Sequence, residues 1–205
     1  MVNHKCNEDI FRHMEDALAV LIKRLKDYKD GESAGNHAEL LDGISNCQVG
    51  SRNAMMGLLL WKVPMGPSHV IGHQLGSVCG VQHGVTSCIM LAPVLRYTAS
   101  KSDKQRQVQE RVLGIWNQIL KCEERSLADA VDKFVKDLGL PSTLREVGVT
   151  KQDDINKVAK NTVTDIIGAM EGMDGKEDVM AILESAKGGS SQDGADDWLD
   201  GGAPM

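Results

Sequence analysis

The sequence predicts an all-α protein, and three observations carry that expectation. Apolar side chains recur at helical spacing through most of the chain, and no stretch alternates with the period of two that a half-buried strand needs. The composition is rich in Leu, Ala, Met and Lys and poor in aromatics, with two Phe, two Tyr and three Trp, which favours helices over a β-sandwich or barrel. The 205 residues suffice for one domain or two small ones with a substantial core.

Taken in order, Ile10, Met14, Leu18, Leu21, Ile22 and Leu25 form the inward stripe of a helix over residues 10–27, with Lys23, Lys26 and Asp27 on the wet side. A polar connection follows, from Lys29 to His37. A second helix is expected to place Leu40, Leu41, Ile44, Val49 and Met55 inward, with few breakers before Gly57, and with Gly43 and Gly50 permitting close packing rather than favouring the helix. Pro64-Met65-Gly66-Pro67 stops it, and Ser68 is the expected N-cap of a helix from His69 to Val78. A buried helix over Thr86–Leu91 is expected to end at Ala92-Pro93.

A polar segment, Thr98–Gln107, leads into a helix over Val108–Lys121 with Val112, Ile115, Trp116 and Ile119 inward. Ser126 caps Leu127–Leu138, which Gly139 terminates. Pro141–Glu146 opens with a short capped turn, Asp153–Met170 is amphipathic with Ile155, Val158, Ala159, Val163, Ile166 and Ile167 inward, and Lys176–Ala186 is the last helix. From residue 188 onward the chain is glycine-rich and acidic, cannot offset its ordering entropy, and is expected to be a disordered tail.

A net charge of −6 without any basic stripe argues against nucleic acid as a partner. The N-terminus lacks the apolar region of a signal peptide, and the apolar runs fall far short of a membrane span. Five cysteines with no C-x-x-C do not make a disulfide framework. These features lead to the expectation of a reduced, cytoplasmic protein with no membrane partner.

The chemistry concentrates between Val63 and Val94, which holds three of the six histidines, five glycines and three of the five prolines. His69 and His73 stand one helical turn apart on one face. His83 follows Gly80-Val81-Gln82, a turn that can fold a third imidazole back towards the first two. Neutral imidazole is the commonest ligand for divalent first-row metals, histidines at i and i+4 can chelate one ion, and a catalytic metal usually takes three protein ligands. Spacing alone leaves open which of the three would bind. Cys79 and Cys88 match no zinc-finger spacing and read as small buried side chains.

Gly66, His69, His73 and Gly76, then His83-Gly84, then an apolar segment ending in Pro93, follow the pattern G-x-x-H-x-x-x-H-x-x-G…H-G…P. This pattern resembles the iron-containing (group III) alcohol dehydrogenases and maleylacetate reductases, and the wording VPMGPSHVIGHQLG…GVQHGVTSCIMLAPVLRY is similar to fungal members. The 14-residue offset from His69 to His83 is the one that family uses for two of its metal ligands. Asp137–Val149 is similar to the family's C-terminal helical region, so the resemblance extends from Ile10 to Ala186.

The resemblance implies an enzyme with an N-terminal α/β nucleotide-binding domain and an all-helical metal-binding domain. Such an enzyme transfers hydride between NAD(P) and an alcohol, aldehyde or related carbonyl, with Fe²⁺ or Zn²⁺ polarising the oxygen. It implies His69 and His83 as metal ligands and His73 as a catalytic histidine beside nicotinamide and substrate. The family's remaining ligands are an Asp and a His in a D-x-x-x-H helix; Asp9 and His13 have that spacing, while their own chemistry reads as a solvated helix start. No glycine-rich βαβ turn for a dinucleotide occurs in the sequence. The chain therefore reads as the helical metal-binding domain (residues 1–187) plus the tail (188–205), without the nucleotide-binding domain. The implied partners are a small alcohol or carbonyl substrate and a second copy or complementing chain. An alternative reading is a non-catalytic helical domain that binds a partner, which would expose an apolar face around Met55, Met56, Leu58–Trp61 and Met65.

Overall fold

The computed structural model describes residues 6–165, 170 and 172–188. Those residues form helices joined by short turns, and no strand occurs among them, as the all-α expectation requires. In chain order the helices are α1 (Glu8–Ala34), α2 (His37–Leu59), α3 (Pro67–Cys79), α4 (His83–Lys101), α5 (Asp103–Leu120), α6 (Leu127–Asp137), α7 (Gln152–Thr162) and α8 (Lys176–Ser185), with a 3-10 turn at Arg145–Val147. They fall into two compact units, one built from the chain up to Pro64 and from Ser102–Ala130, the other from Met65–Lys101 and from Val131 onward. Among the described residues no helix is long and apolar enough to cross a membrane.

In the first unit, α1 begins where the Asn7 side chain accepts the Ile10 N–H at 3.0 Å, with Glu8 and Asp9 in the first turn, where the helix dipole favours acids. It runs seven residues past the expected end at Asp27. The connection expected from Lys29 to His37 shrinks to Gly35 and Asn36 because two capping devices reverse the chain at once. Gly35 adopts φ 65° while the Asn36 N–H reaches back to the Gly31 carbonyl at 2.9 Å, and the Asn36 side chain accepts the Glu39 N–H at the start of α2.

The α1–α2 contact corrects the expected inward face of α2. Leu41 (62% exposed), Val49 (53%), Ile44 and Met55 face outward, and the buried positions of α2 are Gly43, Gly50 and Gly57. A Cβ at Gly43 would stand 3.0 Å from the Tyr28 Cα, one at Gly50 3.0 Å from Leu21 Cγ, and one at Gly57 3.1 Å from Met14 Cε. At these three positions the α2 backbone itself therefore approaches α1, and Leu41 and Val49 are left exposed. α5 packs on α1, where Arg111 forks onto the Glu8 carboxylate at 2.6 and 3.0 Å with its guanidinium 3.5 Å over the Phe11 ring.

The core of the second unit joins α3, α4, α7 and α8 through Ile71, Leu75, Ile89, Met90, Ile155, Val158, Ile182 and Leu183. α3 starts one residue before the expected Ser68 cap: Gly66 is the N-cap and Pro67 occupies the first turn, where its missing N–H is not needed. α4 begins at His83 rather than Thr86 and continues through Pro93 to Lys101. Pro93 removes one N–H from the ladder, and the buried neighbours Ile89, Met90, Ala92 and Val94 hold the helix together across it. The segment expected to be polar connection, Thr98–Gln107, is helical on both sides of Ser102, which caps α5 through the Gln105 N–H.

α6 is capped as expected, by Ser126 accepting the Asp129 N–H at 3.3 Å, and Gly139 follows it at φ 74°. Before the 3-10 turn, Thr143 accepts the Glu146 N–H while Glu146 reaches back to the Thr143 hydroxyl and Ser142 N–H, a reciprocal cap. α7 stops eight residues short of the expected Met170, and Val163 is exposed instead of inward. There the Thr164 and Asp165 N–H groups bond three residues back, to the Asn161 and Thr162 carbonyls, tightening the helix out of register. Ile166 and Ile167 lie outside the described residues, as does the expected tail from residue 189 onward.

The glycine face makes a graded prediction. Gly43→Ala should destabilise the chain by about 1–2 kcal/mol, despite alanine's advantage of about 1 kcal/mol in a helix, because the obstacle is Tyr28 backbone. Gly50→Ala, facing only side-chain atoms of Leu21 and Val20, should stay within about 0.5 kcal/mol of the parent. Urea unfolding of the two variants measures the difference.

Candidate metal and catalytic site

The three histidines of the motif meet at one end of the α3–α4 hairpin, wholly within the second unit. His69 and His73 lie one turn apart on α3 with rings nearly parallel (25°) and centroids 5.9 Å apart. The hairpin turn is three residues long: Gly80 takes φ 73°, its N–H closes onto the Gly76 carbonyl, and Val81 is buried. That reversal returns His83, at the first turn of α4, to 5.0 Å from His69 with ring planes at 86°, and to 6.1 Å from His73.

The closeness of the pair depends on Gly72 and Thr86, neither of which spacing arguments singled out. A Cβ at Gly72 would fall 2.6 Å from Thr86 Oγ1 and 3.0 Å from Thr86 Cβ, so α4 occupies the space a side chain on α3 would need. Thr86 is buried and donates its hydroxyl proton to the His83 carbonyl at 2.7 Å, which pins the turn bearing His83.

Two imidazoles bound to one divalent ion through bonds of about 2.1 Å place their centroids about 5 Å apart, so the His69–His83 geometry fits two positions of a metal shell. His69 is half-buried, and its pKa lies below the ordinary imidazole value, chiefly from desolvation and then from the neighbouring His83 and His73, with Asp165 opposing. Its neutral form, the one with a lone pair to donate, is thereby favoured. Among the described residues no group of three or more His, Cys, Asp or Glu side chains is arranged to hold a metal, so these residues do not make a complete shell by themselves. Burial pushes the Cys79 and Cys88 thiols up, away from the thiolate form a metal would need.

Asp9 and His13 lie on α1 in the first unit. His13 Nε2 stands 3.0 Å from the Asn53 carbonyl oxygen and its ring meets Trp61 edge-on at 4.8 Å, so this imidazole ties α1 to α2 and the chain beyond it. Asp9 is exposed in the first turn. A further residue beside the histidines is Asp165, which follows α7. Its carboxylate accepts the Gln74 amide at 2.7 Å and lies 3.6 Å from His73 Nδ1. In the sequence Asp165 sits inside an apolar helical pattern, and nothing there marks it as a partner of residues about ninety positions earlier.

Two outcomes test this construction. Gly72→Ala should cost about 1–3 kcal/mol, and adding Thr86→Ala should recover part of that loss by opening the space, in urea unfolding of the single and double variants. Protonation of His69 is linked to unfolding, because the folded chain binds that proton less tightly than the unfolded chain. The contribution is intact above the ordinary imidazole range and is lost as pH falls through it. Thermal midpoints in metal-free buffer should decline between about pH 7.5 and about pH 5.5, and His69→Gln should flatten part of that decline.

The chain as a whole matches known proteins. The model of the Fe-containing alcohol dehydrogenase family, C-terminal part, matches residues 7–187. A dehydrogenase of Alternaria alternata is 30% identical over 202 residues, covering 91% of this chain and 49% of the relative. The lactaldehyde reductase of Escherichia coli is 31% identical over 138 residues, covering 66% of this chain and 35% of the relative. The chain thus spans half or less of the length of these curated relatives. Among solved structures, a 1,3-propanediol oxidoreductase superposes with a TM-score of 0.64 at 20% identity, over 90% of this chain and 47% of the other. An alcohol dehydrogenase of Oenococcus oeni gives 0.65 at 20% identity with the same coverage; at that identity the likeness is one of fold. Together with the histidine-bearing hairpin, these matches establish that the chain belongs to the iron-containing alcohol dehydrogenase family and corresponds to its C-terminal, helical part.

Proposed function

We propose that this chain is the metal-binding part of an oxidoreductase of the alcohol dehydrogenase type, which transfers hydride between NAD(P) and a small alcohol, aldehyde or related carbonyl compound. The observation that carries the reading is the convergence of His69 and His83, at 5.0 Å and with crossed ring planes, on a hairpin shaped to bring them together.

His69 and His83 would hold Fe²⁺ or Zn²⁺ through their neutral ring nitrogens, alongside donors from outside the described residues. The bound ion supplies Lewis-acid polarisation of the substrate oxygen. His69 contributes a lone pair kept available by its desolvation, and exposed His83 completes the pair from the solvent side. His73, 41% exposed in its side chain and one turn along the same face, is placed to take or return the proton of the substrate hydroxyl at a ring nitrogen. The described residues offer no strand followed by a glycine-rich turn to seat a pyrophosphate, so NAD(P) does not fit a site on them. The nucleotide would be held by another part of the protein or by a complementing chain.

A second reading, a helical domain that docks a partner without catalysis, draws support from the outward apolar face of α2, where Leu41, Val49 and Leu59 (56%) are exposed.

The test combines metal analysis with turnover. The purified chain should take up Fe²⁺ or Zn²⁺ stoichiometrically, and His69→Ala and His83→Ala should each weaken uptake by at least about tenfold, the penalty already typical of losing an outer-shell partner. With a nucleotide-binding domain of the family supplied, NAD(P)H should be consumed with aldehydes, and His73→Ala should lower that rate by about 10²-fold or more. No metal uptake together with unchanged NAD(P)H absorbance in the supplemented assay would leave the docking reading in its place.

A further inference from the structure

The geometry points to Asp165 as a positioning residue that fixes which nitrogen of His73 carries the proton. For the use of that proton the inference rests on the reading of His73 as the proton carrier; for the placement of the ring it rests on the structure alone.

Asp165 lies just past the tightened end of α7, its side chain 5% exposed, and the core of the second unit packs α7 against α3. One oxygen of the carboxylate, Oδ2, faces two consecutive residues of α3. Gln74 Nε2 donates to it at 2.7 Å, and His73 Nδ1 stands 3.6 Å from the same atom. A carboxylate accepts and does not donate, so each group turned towards it is favoured when it presents a hydrogen. For Gln74 that selects the amide nitrogen. For His73 it selects the tautomer with the hydrogen on Nδ1, leaving the lone pair on Nε2.

The separation of 3.6 Å is slightly beyond hydrogen-bond length, and catalytic hydrogen bonds in ligand-free enzymes commonly tighten only when substrate is bound. Gln74 anchors the carboxylate so that a small rotation of the imidazole closes the gap. The His73 side chain is 41% exposed, which leaves room on its solvent side for that rotation, with His69 and His83 as its ring neighbours. The consequence for the reaction is directional. With Nδ1 committed to Asp165, Nε2 is the atom left to accept a proton from a substrate hydroxyl, and the same atom returns it in the reverse direction. Nothing is oxidised or reduced in this step; one proton moves from oxygen to Nε2 and back.

Nitrogen-15 NMR of the full chain, labelled at histidine and recorded at about pH 8.5, roughly two units above the ordinary imidazole pKa, reads the tautomer directly. The signals of His73 are assigned by their loss in His73→Gln. The expected result is a dominant Nδ1–H form in the unsubstituted chain, and a shift of about tenfold in the tautomer ratio towards Nε2–H in Asp165→Asn, with the helical circular dichroism retained. A dominant Nε2–H form in the unsubstituted chain overturns the inference, and so does a folded Asp165→Asn that keeps the parent ratio. If Asp165→Asn does not fold, the unsubstituted chain still decides between the two tautomers. Turnover plays no part in this measurement, so failure of the functional reading and failure of this inference are read separately.

Discussion

The site in this chain depends on how closely α4 crosses α3. Where a side chain on Gly72 would stand, Thr86 stands instead, and its hydroxyl is spent on holding the His83 carbonyl. A contact between ordinary side chains would hold the helix axes about 8–10 Å apart. The absence of a Cβ at Gly72 lets the hairpin close where imidazoles on the two helices stand 5.0 Å apart.

The first unit uses the same device for a different end. Gly43, Gly50 and Gly57 recur every seven residues along α2 and admit the α1 backbone and side-chain tips into the groove. A helix that packs through its glycines has no need to turn its large apolar side chains inward. Leu41, Val49, Met55 and Leu59 are left exposed.

Much of this was legible in the sequence, for identifiable reasons. Of the helices with strong apolar periodicity, α6 and α8 stand where the spacing puts them and α1 and α7 begin there, and the caps at Ser126 and Thr143 work as their residue types suggest. The meeting of His69, His73 and His83 follows from the i, i+4 rule and a glycine turn. Periodicity misled in α2 because it registers side chains and is blind to a face made of their absence. Pro93 was read as a terminator because proline usually breaks a helix, whereas burial on both sides of it carried α4 onward. Ile166 and Ile167 prolong the apolar pattern of the sequence past the point where the α7 backbone bonds shorten to i−3. Asp165 was invisible because its meaning lies entirely in a tertiary contact.

The three-residue hairpin turn also orders the assembly of the site in time. His69 and His83 are 14 residues apart on adjacent helices, so bringing them together closes a short loop at little entropic cost. Gln74 and Asp165 are separated by 91 positions, and their meeting waits for α7 to dock on the hairpin. Contacts of low sequence separation form ahead of distant ones when chains fold. The His69–His83 contact therefore closes a much shorter loop than the Gln74–Asp165 contact does.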